Sequence, residues 1–272
     1  MISAHRQRWV TGLVALPLIY LLVVAGGVVF VLLIAAVSYL TLWEFYRVAF
    51  YSEPEHGPVR LAPILGMILT PVIVWLIYRY GMTLAMLVIA VDLVLVAGLT
   101  LPLYKTDDQA PLVVAKQVFG LVYIPIFLSF LMMVRFGENG SQWIFWILCI
   151  VAGGDMGAFY SGTYLGRHKL CPWVSPKKTI EGSIGGLAAN VVVALLFKLV
   201  LLPDAPVLPA VVLALVVGAA GQVGDLFASE FKRSAGVKDS GTLLPGHGGF
   251  LDRLDALLFA SPLAYLMKTT IF

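Results

Sequence analysis

Long apolar runs separated by short polar connections dominate this chain. A helix needs roughly 20 apolar residues to cross a bilayer. Nine stretches fit that need: 10–25, 27–48, 61–79, 82–101, 112–134, 142–164, 183–202, 207–226 and 250–270. The first two meet at Ala25-Gly26-Gly27, so their boundary is soft. The N-terminus has a basic start followed by an apolar run, as a signal peptide does, but further spans follow at once and no small-x-small cleavage site is evident. It reads as a retained first helix. The pattern predicts an all-α polytopic integral membrane protein of about nine transmembrane helices. It also predicts two regions: 1–101, with about four helices, and 102–272, which carries two long polar loops at 165–182 and 227–249.

Charge placement orients these spans. With the N-terminus inside, fourteen basic residues fall in cytoplasmic segments, among them Arg47, Lys105, Arg167, Lys177, Lys178, Lys232 and Arg233. Four (Arg79, Arg135, Lys198 and Lys268) fall outside, completing the 18 Lys and Arg of the chain. The positive-inside rule then predicts a cytoplasmic N-terminus and places both polar loops in the cytoplasm. Composition agrees: 60% of residues are hydrophobic and 12% charged, where a soluble domain carries roughly 25% charged residues. Mean hydropathy is +0.96. The net charge of +3 gives no reason to expect a nucleic-acid partner. Cys149 and Cys171 form neither a disulfide framework nor a CxxC metal pattern.

The candidate chemistry sits in the two loops. The second, with the span ends that flank it, carries Asp225, Lys232, Arg233, Lys238, Asp239, His247, Asp252, Arg253 and Asp255, with Gly248 and Gly249 beside the histidine. Charges at the mouth of a membrane span are costly without partners. Lysine and arginine suit phosphates. Aspartates suit Mg²⁺, which takes one or two carboxylates plus phosphates. Asp252 and Asp255 are three apart and share a helix face at its start. Asp225 is expected to end the eighth span and Asp252 to begin the ninth, so a returning loop could set them together as metal ligands. Asp255 is either a third ligand or the partner of Arg253. His247, Gly248 and Gly249 would cradle an anion, unless His247 is structural. Asp155 lies within the apolar span that leads into the first loop, near a nucleotide or paired to a neighbouring helix. Lys178 could hold phosphate, and Ser175 and Thr179 could cap the seventh span. Glu181 could read a base amine or cap backbone N–H groups. His168 has a weaker claim. Asp92, an acid in another apolar run, reads as a helix-pairing residue.

From Ser229 to Asp255 the stretch SEFKRSAGVKDSGTLLPGHGGFLDRLD resembles the signature of phosphatidate cytidylyltransferases, the CDP-diacylglycerol synthases. That signature reads S-x-apolar-K-R, four residues, K-D, a short spacer, then P-x-H-G-G-apolar-x-D-R-apolar-D. The first loop resembles the family's other block through Asp155, Ala158, Phe159, Gly166, Arg167, His168, Lys169, Leu170, Ser175, Pro176, Lys178, Thr179, Glu181 and Gly182. Phe159 stands where tyrosine is common, and Lys177 where glycine or asparagine is common. The resemblance runs from about residue 100 to the end.

The resemblance implies transfer of a cytidylyl group from CTP to phosphatidate, giving CDP-diacylglycerol and pyrophosphate for phospholipid biosynthesis. It also implies Mg²⁺, a possible second cation, a homodimer, and a multi-pass protein of the inner (plasma) membrane with its site facing the cytoplasm. Two rivals remain at this stage. A CTP-dependent polyprenol kinase would release CDP instead of pyrophosphate. A cation-coupled transporter would use Asp92, Asp155 and Asp225 as an ion path.

Overall fold

The computed structural model describes residues 4–51, 58–105, 110–243 and 248–272. It divides into two compact units, Met1–Met132 with Asp239–Leu251, and Met133–Lys238 with Asp252–Phe272. Each expected span falls on helical structure, the fifth (112–134) on two α-helices joined by a π-helical turn, and among the described residues seven helices are long and apolar enough to cross a membrane. Among the described residues the fold is all-α apart from one small hairpin.

The first unit holds α1 (Ala4–Ala25), α2 (Gly27–Ala49), α3 (Pro58–Tyr80), α4 (Met82–Thr100) and α5 (Ala110–Leu121). From α5 the chain passes through a π-helical turn, Val122–Ile126, into α6 (Phe127–Phe136). Pro125 lies in that turn, and its missing N–H breaks the regular ladder. Ser129 donates its hydroxyl to the Pro125 carbonyl at 2.6 Å. Tyr46, buried in α2, donates to the Gln117 carbonyl at 2.8 Å. Asp92, buried in α4, accepts from the Gln117 side-chain amide at 2.7 Å. This is the helix-pairing role expected for it. The outer faces of these helices expose Leu16, Leu32, Val91 and Val94, as lipid-facing surfaces do.

The second unit is built on α7 (Gly140–Leu165), α8 (Ile180–Leu201), α9 (Val207–Ser234) and α10 (Leu251–Thr270). At the N-terminal end of α7, Trp143 and Trp146 pack against Phe272, and Trp146 stacks on Phe197. The Trp146 indole donates to the Ala194 carbonyl at 3.2 Å. Toward the other end, small residues bring α7, α8 and α9 close, as in membrane helix packing generally. The Asn190 side chain of α8 lies over Gly154 on α7 and Gly218 on α9, where any Cβ would collide with it.

Three expectations change. The loop at 165–182 is not wholly irregular. Its strands β1 (Lys169–Cys171) and β2 (Ser175–Thr179) pair antiparallel, Lys169 facing Thr179 and Cys171 facing Ser175. Ser175 therefore sits in a strand and caps no helix. Thr179 does cap α8, accepting from the Gly182 N–H at 3.1 Å. Asp225 does not end its helix: α9 runs on to Ser234. Apolar character stops near residue 226, but helix formation does not. Phe227 packs on Phe259 with ring centroids 5.5 Å apart, and Lys232 and Arg233 favour the negative end of the helix dipole.

Candidate active site

The extension of α9 places Lys232 seven residues, two turns, beyond Asp225 on the same helical face. Gly224 lets α10 approach that region closely, since a Cβ there would strike the Asp255 carbonyl oxygen. Lys232 donates to Asp252 Oδ1 at 2.5 Å. On the hairpin, Lys178 Nζ pairs with Asp225 Oδ2, also at 2.5 Å. Asp155, Asp225 and Asp255 thus stand on three different helices within electrostatic reach of one another. Lys178 and Arg253 act on Asp155, and Lys232 acts on Asp255.

A cavity of about 560 Å³ opens beside these groups, lined in part by Asp155, Lys169, Lys177, Lys178, Thr179 and Asp225. That volume lies in the usual range for small-molecule sites, roughly 300–1,000 Å³. Its wall continues inward through Ser183, Gln222 and Asn190. Gln222 donates to the Ser183 carbonyl at 2.9 Å, and the Ser183 hydroxyl bonds the Gln222 side chain in return. One end of the cavity therefore presents lysines and carboxylates, and the other neutral amides and a hydroxyl. Asp155 is not a carboxylate stranded in an apolar helix, because it faces this opening.

The remaining candidates divide. Glu181 is outside the cavity lining. It accepts from the backbone N–H groups of Arg167 (3.0 Å) and His168 (3.2 Å) and contacts His168 Nδ1 at 2.6 Å. It therefore takes the backbone-capping alternative, and His168 is tied to it. Ser175 is outside the lining as well. Arg233 donates to the Val237 carbonyl at 3.1 Å. Lys238 and Asp239 are exposed. His247 lies outside the described residues. Gly248 and Gly249 belong to the first unit, where Gly249 packs against the buried carboxylate of Glu44. Glu44, Asn190, Ser183 and Gln222 escaped sequence reasoning. Glu44 had a usable signal, a lone acid in an apolar span.

The donor set suits a hard divalent cation, which binds through one or two carboxylates and takes further oxygens from phosphates. Among the described residues, no three acidic, histidine or cysteine side chains are grouped to hold an ion by themselves. Phosphate oxygens would have to complete the shell.

Comparison with known proteins decides the family. The sequence pattern of the cytidylyltransferase family matches residues 6–271. The chain belongs to this family. It is 32% identical over 273 residues to the phosphatidate cytidylyltransferase of Bacillus subtilis, covering 96% of this chain and 97% of that protein. A phosphatidate cytidylyltransferase of Mycobacterium bovis is 38% identical over 156 residues, 57% of this chain and 51% of its own length. One from Staphylococcus saprophyticus is 37% identical over 150 residues, 55% and 57% respectively. The family match extends into the N-terminal helices, beyond the region from about residue 100 in which the motifs lie.

Proposed function

We propose that this chain transfers the cytidylyl group of CTP to phosphatidate, forming CDP-diacylglycerol and pyrophosphate. The observation that carries this reading is the full-length similarity to a relative named for that reaction. A cavity that gathers Lys169, Lys177 and Lys178 with Asp155 and Asp225 supports it.

A phosphate monoester has its second pKa near ~6, so the lipid phosphate is largely dianionic at neutral pH. It needs no strong general base. A lipid phosphate oxygen attacks the α-phosphorus, the bond from that phosphorus to the bridging oxygen breaks, and pyrophosphate leaves with the electron pair. The difficulty is bringing two polyanions together and holding the charge of the leaving group. Lys178 and its neighbours in the hairpin would receive phosphate oxygens, and Lys232 would balance charge at the start of α10. This is transfer by positioning and electrostatic stabilisation. Mg²⁺ would be held by Asp225 with Asp252, Asp255 being a third candidate, and when bound it supplies positive charge to the phosphates. The Lys178–Asp225 pair would part as the nucleotide enters, the lysine turning to phosphate and the carboxylate to the cation.

The same reading places nine spans in the plasma membrane with the N-terminus and the cavity mouth on the cytoplasmic side. CTP would then arrive from water and phosphatidate from the bilayer. A homodimer is part of the proposal.

The test is direct. Purified protein is incubated with phosphatidate, Mg²⁺ and CTP labelled at the α-phosphorus. Label is expected in the lipid phase with pyrophosphate released, and EDTA is expected to stop both. Release of CDP with no label in lipid would indicate kinase chemistry instead.

A further inference from the structure

Glu44 is a completely buried carboxylate that the transfer chemistry does not use. It lies in α2, within the apolar run Leu42-Trp43-Glu44-Phe45. Its Oε2 accepts from the Leu251 N–H at 2.9 Å and from the Ser240 hydroxyl at 3.2 Å. One donor lies within the segment that leads from α9 into α10, and the other is the first residue of α10 itself. The backbone is shaped around the same carboxylate. A Cβ at Gly241 would strike Glu44 Oε1, and a Cβ at Gly249 would strike Glu44 Oε2 and the Ser240 hydroxyl. Only glycine allows so close an approach at both places.

The Leu251 N–H is the first of α10, and such N–H groups have no partner within their own helix. A carboxylate satisfies it and complements the positive end of the helix dipole. Burying a carboxylate is expensive unless it is well hydrogen-bonded, so an apolar residue here would serve packing better than Glu44 does. We propose that Glu44 is a positioning residue. It pins both ends of the 240–251 segment to α2 and thereby fixes where α10 starts. Asp252 follows Leu251 directly, and Arg253 and Asp255 complete the first turns. A misplacement of about 1 Å in such groups can cost about 100-fold in rate. The inference rests on the reading that these residues serve cytidylyl transfer.

The full chain in detergent is compared as wild type, Glu44→Gln, Ser240→Ala and the double variant. Two measurements are made: amide hydrogen exchange across 248–256, and initial rates over a range of CTP concentrations. Glu44→Gln is expected to speed exchange in 248–256 and to lower kcat about tenfold, with KM for CTP within twofold of wild type. Ser240→Ala is expected to act in the same direction more weakly, and the double variant to be no worse than Glu44→Gln. Should Glu44→Gln fail to fold, Ser240→Ala removes only one hydroxyl and carries both measurements. Unchanged exchange in 248–256 would overturn the pin. Faster exchange with unchanged kcat would overturn the positioning role. A wild type that transfers nothing would overturn the transfer reading and the catalytic half of this proposal with it, while exchange would still report the pin itself.

Discussion

Asp225→Asn is expected to lower cytidylyl transfer about a thousandfold, roughly 4 kcal/mol of barrier, while leaving the fold intact. Asp225 lines the cavity, and its carboxylate meets Lys178 at 2.5 Å. A structural reading would make this ion pair a staple between α9 and the hairpin. Exposure argues against that. The two side chains are 27% and 37% accessible, and ion pairs open to water contribute roughly 0–1 kcal/mol. Losing the pair should therefore shift the melting temperature little. Asparagine keeps the size of the side chain and one oxygen, but it loses the charge that would hold a cation. Activity and stability should then separate. The check is kcat/KM together with a thermal melt of the same preparation. A variant that transfers at the wild-type rate would remove Asp225 from the cation site. A variant whose melting point falls in step with its activity would return the pair to a structural role.

The spans were legible because a bilayer imposes a length and a composition on any helix that crosses it. That rule is silent about helix that continues into water. The last turns of α9 therefore looked like loop, although Lys232 and Arg233 project from a helix. The hairpin escaped for a related reason. Its strands are three and five residues long, too short for an alternating pattern to stand out. Thr179 was readable as a cap because its hydroxyl needs only a local partner, the Gly182 N–H. Glu181 was half-readable: its carboxylate was visible, but its acceptance from Arg167 and His168 depends on the hairpin returning.

Asp92 and Glu44 make the contrast sharper. Both are acids in apolar runs of the first unit. Asp92 finds its partner, Gln117, on the helix next in sequence. The partners of Glu44 lie about 200 residues away, at Ser240 and Leu251. No periodicity within one helix can announce such a contact. The glycines that make room for it, Gly241 and Gly249, sit in a segment where glycine next to His247 already read as an anion cradle.

The pair at the start of α10 should behave unlike the Lys178–Asp225 pair. Lys232 and Asp252 meet at 2.5 Å with only 12% of each side chain accessible. Removing one member of a buried pair leaves a charge without its counter-ion, which costs roughly 3–5 kcal/mol. Lys232→Met and Asp252→Asn are each expected to lower the melting temperature markedly and to abolish transfer. The double variant carries neither charge, and Asn at 252 retains an oxygen that can accept hydrogen bonds. It should recover most of the lost stability, because neutral replacement of a whole buried pair is often close to neutral in free energy. It should not recover activity. If Asp252 holds a cation and Lys232 balances phosphate charge, a neutral pair supplies neither. The measurement is a four-way cycle of melting temperature and transfer rate. Recovery of both quantities in the double variant would make the pair purely structural. Recovery of stability alone would show that the charges at the mouth of α10 are kept for chemistry, since the fold can stand without them.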